Sequence, residues 1–389
     1  MKAIGGSMMK LRYGSAEEAG MSADRIRSAE RCISDWVHSG QTQASAILAA
    51  RKGIIVSHKT FGKSGNEENA PDLTFDTLFP LSSISKTITA TAAMILNEEG
   101  RLDINKPIKD YIPEFTGDGK DRAEVCQLMM HTTGMNDEVV RCHIEEKLKN
   151  LGHNENIEPK DWLRLGYDAP LWKKPGEEMS YCNYGINILG EIVERVSGKC
   201  IHEFTTERIF DPLGMTSTFY IVPQSEWHRV IRRNKDMAGG EWFVSQRALE
   251  SQSGAGGVYS TMMNMAIFCQ MYANKGTYNN VRILKTETVA EMTKNQIPGI
   301  SARLYNEYFK EASWGYCWDI SGDKYAEKDI RSPVSFSHGG FGRTFIMVDP
   351  VYDLIFLCFY IEKPTPFFDY SSAINDLILS INDKENVIV

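Results

Sequence analysis

The chain has 389 residues, 42% of them hydrophobic and 24% charged, which suits a soluble globular protein with more than one simple core. A formal net charge of −8 with no basic run argues against nucleic acid as a partner. The longest apolar run, Leu354 to Ile361, is far too short to span a membrane and reads as a buried strand.

Ala23 to His38 carries Ile26, Ala29, Cys32, Ile33 and Trp36 at helical spacing. Two short apolar strands around Lys52-Gly53 then predict a β-hairpin. The next helix, within Pro80 to Gly100, has Ile84, Ile88, Ala92, Ile95 and Leu96 on one face, with Ser82 or Ser83 as its cap. Leu102 to Phe115, broken by Pro107 and Pro113, reads as an extended connection. From Asp121 to about Thr206 the signals are helical with long polar loops, the clearest helix lying in Glu177 to Gly198, where glycine stops it. A helix starting near Thr261, two strands joined at Asp349-Pro350 and a helix over about Phe367 to Ile381 complete the chain. These signals predict an α+β fold. The two ends build an antiparallel sheet flanked by helices (residues 1–85 and 255–389), the middle (86–254) is an inserted helical subdomain, and a cleft lies between them.

Ser83 and Lys86 fall three residues apart at a helix start, which places their Cβ atoms about 5–6 Å apart. The helix dipole and an apolar surround both disfavour an ammonium there, so the lysine pKa should fall toward neutrality and the amine could take the Ser83 proton. The Ser83 amide would then help hold the resulting oxyanion. Ser-x-x-Lys also occurs at Ser7–Lys10 and Ser321–Lys324, so the pattern alone has little specificity. Tyr181-Cys182-Asn183 is a candidate for the second proton-handling group. Its bland alternative is that Asn183 caps a helix and Tyr181 packs a loop. The glycines of His338-Gly339-Gly340 would let a substrate backbone approach a strand edge, with the Phe341 amide as a second oxyanion donor. The alternative is a glycine-rich turn carrying an exposed histidine. His131 to Gly134 reads as a structural turn, and Cys142, His143 and His153 as a surface loop without metal-ligand spacing. The eight cysteines form no Cys-x-x-Cys pair, and the opening residues lack the apolar core of a signal peptide, so the expected location is the cytoplasm.

Ser83-Ile-Ser-Lys86, His131-Thr-Thr-Gly134, Tyr181-Cys-Asn183, Asp211-Pro-Leu-Gly-Met215, Gly256-Gly-Val-Tyr-Ser-Thr261 and His338-Gly-Gly340 occur in the order of one family. The chain resembles the serine β-lactamase-like hydrolases: class C β-lactamases, D,D-peptidases, related family VIII-type carboxylesterases and lovastatin-type acyltransferases. The match runs from about residue 15 to 365. It implies a β-lactamase/transpeptidase-like fold, Ser83 as acyl-forming nucleophile, Lys86 as its base partner and Tyr181 as base or acid for the leaving group. It also implies Asn183 bonding Lys86 or the substrate amide, and an oxyanion hole from the Ser83 and Phe341 amides. Either Lys86 or Tyr181 takes the serine proton. The chain departs from the family pattern at His338-Gly339-Gly340, where β-lactamases and D,D-peptidases usually carry Lys-Thr-Gly or Lys-Ser-Gly. Losing that permanent cation moves the expectation from β-lactams and D-alanyl peptides toward small esters or amides, hydrolysed without cofactor or metal. β-Lactamase or D,D-peptidase activity is the alternative, and a scaffold or filament-forming homologue is the rival of another class. The oligomeric state is left open.

Overall fold

The computed structural model describes residues 9–382 apart from 66, 68, 153–156, 236–238, 305–306 and 363–368. His153 and the start of the expected last helix therefore lie outside the described residues. Alternating apolar residues dictate the central sheet. In the strand Thr42–Arg51, Ile47 and Ala49 point to one side while Ala46, Leu48 and Ala50 point to the other. The strand Leu354–Glu362 sorts its residues in the same way, Phe356, Cys358 and Tyr360 against Ile355, Leu357 and Phe359. Both strands are buried on two faces, so the sheet is a middle layer.

Its seven strands run Arg12–Tyr13, Ile54–Gly62, Thr42–Arg51, Leu354–Glu362, Thr344–Asp349, Phe336–Gly340 and Asp319–Ile320. All pairings are antiparallel except that of the first edge strand. Chain start and chain end thus share one sheet, with Leu48 opposite Leu357. The helices Ala23–His38 and Ser371–Leu379 cover one face, where Ile33, Ala29, Leu377 and Ile374 meet Phe356 and Met347.

The other face packs against helices, among them Ser85–Glu98 and Met262–Ala273. Ser85 to Leu96 is buried at every position, not along one stripe as its spacing suggested. The three threonines that break the apolar pattern are satisfied inside it: Thr87 donates to Ile84 O, Thr91 to Thr87 O and Thr89 to Gly254 O. Neither Ser82 nor Ser83 caps this helix, which is entered through a 3₁₀ turn at Ser82–Ile84. Residues 102–115 are turns around a short 3₁₀ segment at Ile108–Asp110 and not an extended run. Cys142 and His143 lie on the helix Asp137–Asn150, which corrects the expected surface loop. Among the described residues no helix is long and apolar enough to cross a membrane.

Candidate active site

Three segments meet at the start of the helix Ser85–Glu98. The turn Leu81–Ser82 is tied by Leu81 N–H to Val258 O at 2.8 Å, and by Thr344 Oγ1, which donates to Leu81 O at 3.2 Å. The Gly342 amide donates to Ser82 Oγ at 3.1 Å. Two glycines make this approach possible: a Cβ on Gly340 would lie 2.2 Å from Leu81 O, and one on Gly342 2.4 Å from Pro80 O. Ser82 itself holds a left-handed φ of 47°, which costs on the order of 1 kcal/mol for a non-glycine residue. The surrounding bonds hold that conformation and present Ser83 to a cavity of about 360 Å³, bordered by Asn183, Trp242, Phe243, Tyr259 and Phe341. A larger cleft of about 600 Å³, near Lys147 and Arg164, has neither serine nor tyrosine among its described lining residues. The smaller cavity is the candidate site.

Lys86 Nζ lies 2.9 Å from Ser83 Oγ and donates to Ala255 O at 2.8 Å. The amine is fully buried, and that burial lowers its pKa to about 7, with Cys317, Asp137 and Cys182 opposing. The Cys317 thiol is itself pushed up to about 12 by burial, so near neutral pH the Asp137 carboxylate is the opposing charge. Near pH 7 a large fraction of Lys86 is therefore a neutral amine in reach of the serine proton.

Lys86 Nζ also sits over the Tyr181 ring, 4.9 Å from its centroid. Three rings pack around that tyrosine: His131 at 4.5 Å, Trp314 at 6.1 Å and His338 at 6.4 Å between centroids. His131 ends the helix Val125–Met130 in a left-handed conformation, and its Nδ1 accepts from the Cys182 amide at 3.2 Å. The expected structural turn is present, and it doubles as one wall around Tyr181. His338 is buried within the strand Phe336–Gly340, so the glycine-rich stretch is sheet and not turn, and its histidine is not exposed. Burial, aided by Lys86, lowers the His338 pKa to about 4, and the neutral ring lies with Nδ1 2.8 Å from Gly339 O.

Residues 29–373 match the Beta-lactamase protein family. The chain belongs to that family. Beta-lactamase family members are serine hydrolases, and this chain is similar along most of its length to several of them. An N-acetylmuramyl-L-alanine amidase of Bacillus subtilis (strain 168) is 23% identical, covering 94% of this chain and 87% of the amidase. A putative D-alanyl-D-alanine carboxypeptidase of Salmonella schwarzengrund is also 23% identical, over 88% of this chain and 83% of its own. Among solved structures, a family VIII carboxylesterase superposes with a TM-score of 0.73 at 21% identity, covering 94% of this chain and 99% of that one.

Within this Beta-lactamase family fold, Ser83, Lys86, Tyr181 and His338 come together, while Asn183 does not meet Lys86 among the described bonds. Its amide donates instead to Asp137 Oδ2 at 2.7 Å. Asp137 also accepts from the backbone of Asn183 and Tyr184, both at 2.9 Å, and from Cys182 Sγ at 3.2 Å. It thus secures the start of the helix Asn183–Ser197 immediately after Tyr181. One turn on, Asn187 Oδ1 accepts from Ser253 Oγ at 2.9 Å and from Ala255 N at 3.1 Å, which fixes the carbonyl that Lys86 uses. Sequence reasoning missed Asp137, Asn187 and Ala255. Asn187 was accessible, lying at i+4 from Asn183 on the cleft face. Nothing local marks an aspartate that caps a helix 46 positions away. Phe341 is exposed at the cavity rim, with Phe243 6.4 Å from it ring to ring. A Cβ on Gly339 would come no closer to a neighbour than 3.9 Å, so that glycine is not demanded by packing.

Proposed function

We propose that this Beta-lactamase family hydrolase acts through an acyl-enzyme on small, uncharged carboxylic esters. Ser83 Oγ attacks the acyl carbon and its proton passes to the neutral Lys86 amine, whose pKa of about 7 is matched to work near neutral pH. The tetrahedral oxyanion faces the amides of Ser83 and Phe341. Lys86, with the Tyr181 phenol against it, returns the proton to the leaving alcohol, and water then releases the acid by the same route in reverse. His338 and Gly339 line the strand edge along which the substrate lies, with Gly340 and Gly342 allowing the close backbone approach. No cofactor enters these steps.

The observation that carries the ester reading is the uncharged character of the site. His338 is neutral at pH 7, and the described residues bordering the cavity, Trp242, Phe243, Tyr259 and Phe341 among them, include no cation. A substrate carboxylate would find no counter-cation among those residues, whereas an apolar acyl or alcohol group would find aromatic surface. The names of the curated relatives favour a second reading, release of D-alanine from peptides. The test is hydrolysis of p-nitrophenyl butyrate, nitrocefin and a D-Ala-D-Ala peptide by one preparation. The ester reading expects kcat/KM for the ester to exceed the other two at least tenfold. Preferential release of D-alanine would replace it. All eight cysteines are free thiols, which supports the cytoplasmic location of the proposed enzyme.

A further inference from the structure

Outside the cleft, the segment Lys199-Cys200-Ile201-His202-Glu203 gathers three groups of a kind that bind metals. Cys200 Sγ, one nitrogen of His202 and one carboxylate oxygen of Glu203 all lie within 4.8 Å of one another. Sγ is 3.2 Å from His202 Nδ1 and 2.9 Å from Glu203 Oε2. Around a tetrahedral zinc ion, bond lengths of about 2.0–2.3 Å put neighbouring ligand atoms roughly 3.3–3.5 Å apart. The two distances from Sγ are thus within about half an ångström of that spacing. Cys200 and His202 are half-buried, so two of the three ligands are pre-ordered. A fourth group is at hand: Gln252 Oε1 lies 3.0 Å from His202 Nδ1.

A capping box already links Cys200 and Glu203, the Cys200 amide donating to Glu203 Oε2 at 3.3 Å. That contact explains why a carboxylate approaches the thiol. It does not explain the turn of the His202 ring onto the same sulfur from the next position but one, nor the amide oxygen from a distant loop on the same nitrogen.

We propose that Cys200, His202 and Glu203, with Gln252 Oε1 completing the sphere, form a binding site for a borderline-soft divalent cation, with Zn²⁺ as the best match. A thiolate, an imidazole and a carboxylate together suit zinc far better than magnesium or calcium, which take oxygen ligands. On binding, the Cys200 S–H bond breaks, the sulfur pair forms the metal bond and one proton leaves to solvent, while the His202 proton that faces Gln252 Oε1 from Nδ1 shifts to Nε2 so that the Nδ1 lone pair ligates. Gln252 sits between Ser251 and Ser253, both on the wall of the cavity beside Ser83. The cation would therefore tie the helix start at Cys200 to the loop that carries the Lys86 acceptor, Ala255 O. It takes no part in the reaction.

The test uses full-length protein stripped of metal with a chelator, titrated with Zn²⁺ against a chromophoric competitor and with Co²⁺ by absorbance. A Cys142→Ser background removes the exposed thiol elsewhere on the surface. The expected result is one equivalent of Zn²⁺ bound, a thiolate-to-cobalt charge-transfer band, and about one proton released, read from the buffer dependence of the binding heat. Cys200→Ser and His202→Gln should each weaken Zn²⁺ binding at least about tenfold, and Cys200→Ser should abolish the band. Circular dichroism verifies that both variants are folded, and because the two alter different ligands a folding defect in one leaves the other to decide. Absence of stoichiometric binding overturns the proposal, as does binding that survives unchanged in either folded variant.

Discussion

The chain contains two described Ser-x-x-Lys segments, and comparing them shows what turns this pattern into chemistry. Burial does not separate them, because the Lys324 side chain is only 4% exposed and Lys86 is wholly buried. The partners do. Lys324 forms an ion pair with Asp319 and donates to Ser313 O at 3.0 Å, while Ser321 Oγ is engaged with Ser335 Oγ at 2.7 Å. That amine is committed to a carboxylate, and its serine is turned elsewhere. Lys86 meets a hydroxyl, a carbonyl and an aromatic face, with no carboxylate bonded to it among the described residues. Desolvation without a counter-ion lowers the pKa, and the same amine then faces a serine it can deprotonate.

The sharpest way to break this contrast is to remove each serine. Ser83→Ala should lower ester turnover by at least about 10⁴-fold, with the melting temperature within a few degrees of wild type. Ser321→Ala should leave turnover within about twofold. Comparable losses in both would dissolve the distinction. Next in size is pH dependence. Because the working form of Lys86 is neutral, kcat/KM should fall about tenfold per unit below pH 7, roughly 100-fold by pH 5, and level off above neutrality. A flat profile from pH 5 to 8 would remove Lys86 as the base.

Asp137→Asn should have a smaller effect, a severalfold loss of kcat from a looser start to the helix after Tyr181. It should also move the acid limb to lower pH, since the carboxylate is one of the charges holding the Lys86 pKa up. A purely structural role would cut the rate without moving the limb. Stability offers the last comparison. Folding depresses the Lys86 pKa to about 7, so between there and the ordinary lysine value the unfolded chain binds more protons. Wild type should therefore gain stability relative to Lys86→Met as pH rises from 7 to 9, by about 2 kcal/mol in paired denaturant titrations. Below pH 7 both states are protonated and the difference should be constant.

Much of the fold was legible from periodicity. The hairpin at Lys52-Gly53, the helix stopped at Gly198 and the paired strands around Asp349 are regular segments, whose pattern is set by which face is buried. The helix after Ser83 showed the limit of that signal. Its threonines interrupt the apolar spacing, yet each hydroxyl returns to a backbone carbonyl and Ser85 to Leu96 is interior on every side. The glycine-rich turn weighed as the alternative for His338 to Gly340 gives way for a related reason: the string carries turn residues, but Phe336 and the pairing with Thr344–Asp349 make it a strand. Within the site, the Ser83–Lys86 contact was legible because three residues on a helix start must be neighbours. Asn183 was expected to bond Lys86 or the substrate amide. Its carboxamide donates to Asp137, a carboxylate that arrives from another helix, and no spacing along the chain encodes that meeting.

The account rests on Ser83 becoming acylated. Rapid acid quench of wild type during p-nitrophenyl butyrate turnover, followed by peptide mass mapping, tests this directly. The expected result is a butyryl adduct on the peptide containing Ser83, formed with the burst of p-nitrophenol and absent from Ser83→Ala. Turnover with no adduct on Ser83, or with the adduct on another residue, would contradict it.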